Sequence, residues 1–273
     1  MKRSDMLPKN FILFLREAEL ASMSLCAGLT ALRKANPSHT GFYTHAFFSI
    51  STGIERLMKL ILIIDYAVKN NGFYPDNKYL RKFGHNIIES MKIIGSISNE
   101  YGHYSEWKSL MDDEINIEIL NHATEFAIGA RYSNLDELTN NKRYDDPIRS
   151  WNINVGDLIL KRYPSRNERS VEDEFFDNAM DKSSVILIPG ERGEFIESFK
   201  ELRICAQNSE IINKYGMRHL VSIIQMLSTL LVSIRDFAQV EKNLDYPFFH
   251  EFFIPLNTPK EYWKNKKSWS PYY

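Results

Sequence analysis

Between residues 42 and 70, Tyr43, Phe47, Ile50, Ile54, Leu57, Ile61, Ile64 and Val68 follow one another at alternating steps of four and three. That spacing lays a single apolar stripe along one face of a helix. Residues 60–64 are apolar all the way round, so this half of the helix is expected to be enclosed by other helices. Glu55 and Lys59 stand four apart in the order that favours an ion pair on a helix. The same period governs residues 10–34, where Phe11, Leu15, Ala18, Leu25, Leu29 and Leu32 form a stripe that Asn36-Pro37 ends. Only a short turn separates the two helices, which predicts that they pack antiparallel.

Helical spacing continues over residues 78–97 through Leu80, Phe83, Ile87, Met91 and Ile94. Residues 98–113 are read as a loop rich in aromatic and polar residues. Asp112, Asp113 and Glu114 then supply the negative charge that favours a helix start, and a fourth helix is expected over residues 114–131. Residues 140–169 are less regular and are read as a linker or excursion, with a strand-like or short helical piece at 151–163. The short β-like run 185–188 is expected to be a buried extended connector, since a lone strand has no independent stability. Helix returns over residues 194–208 and again over 210–241, where Leu220, Ile223, Leu227, Leu230, Ile234 and Phe237 make a second core stripe. The tail from residue 248 is too aromatic to hang free and too broken by proline to be one helix. It is expected to lie against the bundle with Lys264, Lys266 and Lys267 facing water. The whole reads as an all-α chain, with a helical bundle over residues 1–140 and an irregular linker plus a C-terminal helical lobe over residues 141–273.

Composition narrows the classes without selecting one. The 273 residues suffice for a large core, and the formal net charge of −1 gives no global field to draw in nucleic acid or a membrane. Cys26 and Cys205 are far apart and suggest neither a zinc site nor a disulfide framework. The apolar run near the N-terminus is cut off by Arg16 and Glu17, too short for a secretory signal. With no window read as a membrane span, a cytoplasmic location is expected.

Arg81 and His85 stand four apart in LRKFGHNI, which on one helix places both on one face. A permanent cation suits phosphate and an imidazole moves protons near neutral pH, so the pair is minimal equipment for cleaving RNA without a metal. The structural alternative has His85 hydrogen-bonded to Glu55 or a carbonyl and Arg81 paired with an acid. Glu55 and Lys59 either orient such a site or satisfy one another. Arg131 has the alternative role of capping a helix C-terminus. Glu100-Tyr-Gly-His103 is a lone match to the Glu-x-x-His pairs of a carboxylate-bridged metal site, and Glu118 with His122 makes only two ligands on one face. No metal or cofactor is therefore expected. The glycine-bearing stretch 188–194 lacks the Lys and Ser/Thr of a phosphate loop and carries two glutamates. Lys161, Arg162, Arg166 and Arg169 with Tyr163 mix cations and an aromatic, as single-strand nucleic-acid surfaces do and as many solvated faces also do.

GIERLMKLILI at 53–63, KFGHNI at 82–87 and GARYSNLD at 129–136, in that order, resemble the HEPN superfamily of helical-bundle proteins from prokaryotic toxin–antitoxin and phage-defence systems. The likeness covers about half the chain and nothing after about residue 140. It implies a HEPN-like antiparallel bundle, and either a metal-independent endoribonuclease paired as a homodimer or a non-catalytic module that holds a protein partner or nucleotide. It would carry the catalytic role onto Arg81, His85 and Arg131, with Glu55, Lys59 and Asn86 as binding residues. The family's Arg followed four to six residues later by His within a late helix is absent after Arg131, where Asp136 stands. Arg33 and His39 have the spacing but straddle Pro37.

Overall fold

The computed structural model describes residues 10–164, 176, 179–182, 184–263 and 265–271. Helix α1 (Phe11–Leu32) and helix α2 (Gly41–Lys69) form the expected antiparallel pair. Every residue of the α2 stripe, from Tyr43 to Val68, is buried. Two glycines let the backbones approach closely. A Cβ on Gly28 would fall 2.6 Å from Ile50 Cγ1, and one on Gly53 would fall 2.6 Å from Leu25 Cγ. At the far end of the pair, Arg56 donates to Glu17 at 2.5 Å.

The expected third helix is broken. A short α3 (Asn77–Arg81) is N-capped by Asp76, and α4 (Ile87–Glu100) begins afresh at Asn86, whose side chain accepts from the Glu89 amide at 3.1 Å. Between them Gly84 takes a φ of +52°, the left-handed region that ends a helix and suits glycine. Residues 98–113 hold a helix rather than only a loop: α5 (Tyr104–Met111) packs Trp107 over Gly95, with the indole N–H donating to the Met91 carbonyl at 3.1 Å. Helix α6 (Glu114–Ile128) starts at Asp113 as expected but stops before Arg131, which sits in a 3₁₀ turn (Ala130–Tyr132) leading to α7 (Ser133–Leu138).

Residues 147–162 are not a linker. A short α8 (Pro147–Ser150), a π-turn (Trp151–Val155) and α9 (Gly156–Arg162) bury Trp151, Val155 and Ile159 in the common core. Trp151 lies 5.4 Å from Phe47 on α2, ring centre to ring centre, so the core is continuous across residue 140. The β-like run forms a small antiparallel hairpin, β1 (Ile188–Pro189) with β2 (Phe195–Ile196). It is not a buried connector: Val185 is 98% exposed.

The two expected C-terminal helices are one, α10 (Phe199–Lys242), started by Ser198 accepting from the Glu201 amide. Ser209, where a break was expected, satisfies its hydroxyl on the Cys205 carbonyl and on Glu191 of the hairpin. Helix α10 holds a window of mean hydropathy 1.5, long and apolar enough to cross a membrane by length and composition, and 61% of that window is buried inside the protein. A core helix of a bundle passes the same test.

The tail, with α11 (His250–Phe253) and α12 (Lys260–Trp263), folds back on α1. The Trp269 amide donates to Thr30 Oγ1 at 2.9 Å, and Ser22 donates to the Phe252 carbonyl at 2.5 Å. Lys266 does not face water. It is half-buried and donates to the Pro255 carbonyl at 2.9 Å, whereas Lys267 is exposed and Lys264 lies outside the described residues.

Candidate functional site

The α3–α4 break decides where His85 goes. On a continuous helix it would share a face with Arg81. Released at residues 82–86, it turns toward α2, where its Nδ1 stands 2.9 Å from Glu55 Oε2. The other carboxylate oxygen of Glu55 takes Lys59 Nζ at 2.5 Å. A carboxylate only accepts, so Nδ1 carries the proton and Nε2 is left as the exchanging nitrogen. Nε2 has no hydrogen-bond partner among the described residues, and the side chain is 58% exposed. Glu55 is 18% exposed. Its burial alone would raise the carboxyl, but the hydrogen bonds and charges of His85 and Lys59 outweigh that and hold it below the usual carboxylate value.

These three residues line a cavity of about 300 Å³ with Arg131, Arg56, Glu17 and the ring of Phe48. Arg131 reaches it from the turn after α6, with its guanidinium 5.0 Å from the Tyr132 ring centre and no ion pair among the described residues. Three permanent cations face two carboxylates there, so the cavity is net positive even with His85 neutral. Such a lining suits one phosphate group better than a neutral ligand.

The sequence-derived set divides accordingly. His85, Glu55, Lys59 and Arg131 come together. Asn86 borders a narrow crevice beside them and spends its side chain on capping α4. Arg81, the exposed last residue of α3, does not line the cavity. Sequence reasoning missed Arg56, Glu17 and Phe48. Arg56 adjoins Glu55 in the GIERLMK run, but its facing acid on α1 is set by the register of the α1–α2 pair, which no local pattern displays.

Other candidates resolve into structure. His122 is buried between Phe47 and Trp151 and donates through Nε2 to the Pro147 carbonyl at 2.9 Å, while Glu118 accepts from Asn121. Among the described residues no group of three or more His, Cys, Asp or Glu converges as a metal site requires. In the basic run, Arg162 grips Asp113 at 2.8 Å and Tyr163 stacks on Tyr215 with ring centres 3.8 Å apart. Arg166 and Arg169 lie outside the described residues. Burial pushes the Cys26 thiol up to about 11, and raises the half-buried Cys205 as well, so both favour the inert protonated form at neutral pH. No family model, no curated protein and no solved structure matches the chain.

Proposed function

We propose that this protein is a HEPN-like helical bundle that binds RNA in the Glu55–Lys59–His85–Arg131 cavity and cleaves it without a metal, working as a homodimer in phage defence or stress response. The observation that carries the reading is the exposed His85 Nε2 on a carboxylate-held imidazole, facing a cavity with an unpaired arginine. In this reading Nε2 takes the proton of a ribose 2′-OH, and O2′ attacks the adjacent phosphorus. The P–O5′ bond breaks, and the 5′-oxygen takes its proton from water, leaving a 2′,3′-cyclic phosphate and a 5′-hydroxyl. Arg131 and Lys59 offset the charge that gathers on the phosphoryl oxygens, and Glu55 stabilises the imidazolium.

The test is RNA cleavage by wild type, His85→Ala and Arg131→Ala. General acid–base loss of roughly a hundredfold or more is expected for His85→Ala. Cleavage by His85→Ala at the wild-type rate overturns the assignment. A second reading, a non-catalytic module that holds a protein partner or nucleotide, is favoured by a separate observation. Both Glu55 oxygens are already engaged, beside Phe48 at 50% exposed and an exposed Tyr132. Binding of a nucleotide or a protein partner by wild type that cleaves no RNA selects it.

A further inference from the structure

The β1–β2 hairpin meets the body of the bundle through few side chains. From residue 188 to residue 196 only Glu191 and Ile196 are buried, at 5% and 1% exposed. An acid therefore serves as one of the two anchors, although a carboxylate is far better solvated by water than by a protein interior.

The hydrogen bonds around Glu191 require a proton on it. Trp151 Nε1 donates to Asn213 Oδ1 at 3.3 Å, so the Asn213 amide nitrogen points the other way. It donates to the Ala35 carbonyl and to the Tyr43 hydroxyl, each at 3.0 Å. The Tyr43 hydroxyl thus accepts from Asn213 and keeps its own proton for Glu191. Ser209 Oγ touches both Glu191 Oε2 and the Cys205 carbonyl, the latter at 2.7 Å. A hydroxyl has one proton and a carbonyl only accepts. With Ser209 donating to Cys205 in the usual back-bond of a helical serine, its contact with Glu191 is a hydrogen bond only if the carboxyl donates. The other carboxyl oxygen, Oε1, is buried with no donor among the described residues. A carboxylate would leave part of its charge there uncompensated, and a neutral carboxyl does not.

The neighbouring charges do not offset this burial. Arg192 turns away, to the Asn152 carbonyl at 2.9 Å and to Asp157 on α9. Arg149 of α8 passes the exposed Gly193 with its aliphatic stem. Glu194 across the turn and Glu201 on α10 are acids, while burial raises both the Tyr43 hydroxyl and the Cys205 thiol and keeps them neutral. Burial likewise pushes the Glu191 carboxyl above the ordinary value and Glu194 adds to this, against the opposing pull of Ser209, Tyr43 and Arg192.

We propose that Glu191 is a pH-sensitive latch: protonated, it docks the β1–β2 hairpin over Tyr43, Ser209 and Asn213, and its ionisation undocks the hairpin. Neither Glu191 nor these partners line the His85 cavity, so the latch is independent of what that cavity does. The docked state holds a proton that a solvated glutamate releases above about pH 4.3. Docking is therefore strongest below that value. It weakens by up to about tenfold per pH unit as pH rises to the raised value of the docked carboxyl, above which the loss is complete.

Hydrogen exchange of the full chain, read by mass spectrometry and corrected for the intrinsic effect of pH on exchange, tests the latch. Between about pH 5 and 9 the wild-type amides of residues 188–196 should lose protection by up to about tenfold per pH unit, and by more than those of α2. Glu191→Gln should keep the hairpin protected throughout, because its amide N–H donates to Ser209 as the protonated carboxyl does. The infrared band of a protonated carboxyl, identified as the part of the wild-type spectrum missing in Glu191→Gln, should fade over the interval in which protection falls. Wild-type protection that is flat over this range overturns the proposal, however the variant behaves. So does a Glu191→Gln hairpin with the wild-type pH profile, or a carboxyl band that disappears while the hairpin stays protected.

Discussion

Adding one methyl group at the α1–α2 crossing measures how closely the two helices depend on their glycines. In Gly28→Ala the new Cβ meets Ile50 Cγ1 at 2.6 Å, the Ile50 amide nitrogen at 2.9 Å and the Ala46 carbonyl oxygen at 3.1 Å. The side-chain clash can be relieved by a rotamer change, but the two backbone contacts can be relieved only by parting the helices. Replacing glycine by alanine within a helix gains about 1 kcal/mol of propensity. Overpacking a well-filled core costs roughly 1–3 kcal/mol, and rigid backbone neighbours place this site in the upper part of that range. A net loss of about 1–2 kcal/mol follows, which for a chain of this size lowers Tm by roughly 2–4 °C. Gly41→Ala is the control, because no atom lies within 4 Å of its added Cβ. Thermal melts followed by far-UV circular dichroism compare the two. A Gly28→Ala protein as stable as Gly41→Ala refutes the close approach of α1 and α2 and the packing argument with it.

His85→Ala should cost less than about 1 kcal/mol of stability, the range of exposed ion pairs, because the imidazole is largely solvated. A loss of several times that size in a urea titration would make His85 a structural residue. His122, held neutral by burial with its value lowered to about 4, binds fewer protons folded than unfolded. Stability should therefore be full above about pH 6.5, the unfolded value, and should decline as pH falls toward 4. A urea midpoint that does not move between neutral pH and the low end of that window counts against this. If the chain pairs through the exposed apolar residues beside the candidate site, sedimentation at micromolar concentration should show a dimer, and monomer alone speaks against pairing.

The long helices were legible because a stripe reflects burial: the residues that repeat at three and four on α2 are all buried. The α3–α4 break was hidden for a related reason. Leu80, Phe83, Ile87, Met91 and Ile94 hold helical spacing across it, and the one local sign, Gly84, is also tolerated inside helices. Trp151, Val155 and Ile159 read as a linker since a π-turn lies between α8 and α9 and shifts the period. At the candidate site Glu55, Lys59 and His85 were legible through four-residue spacings and Arg131 through its place near a helix end, with the resemblance drawing them into one set. It could not show that His85 reaches Glu55 rather than Arg81, because that follows from the turn at Gly84 and not from spacing. Phe48 and Arg56 depend on the register of α1 against α2, which is long-range.

The most direct test of the proposed activity is incubation of the purified protein with single-stranded RNA in excess EDTA, with the product ends identified by mass spectrometry. Fragments bearing 2′,3′-cyclic phosphates and 5′-hydroxyls, formed by wild type and lost with His85→Ala, are the predicted result. Intact RNA after incubation with a folded wild-type protein, or cleavage that His85→Ala retains in full, contradicts it.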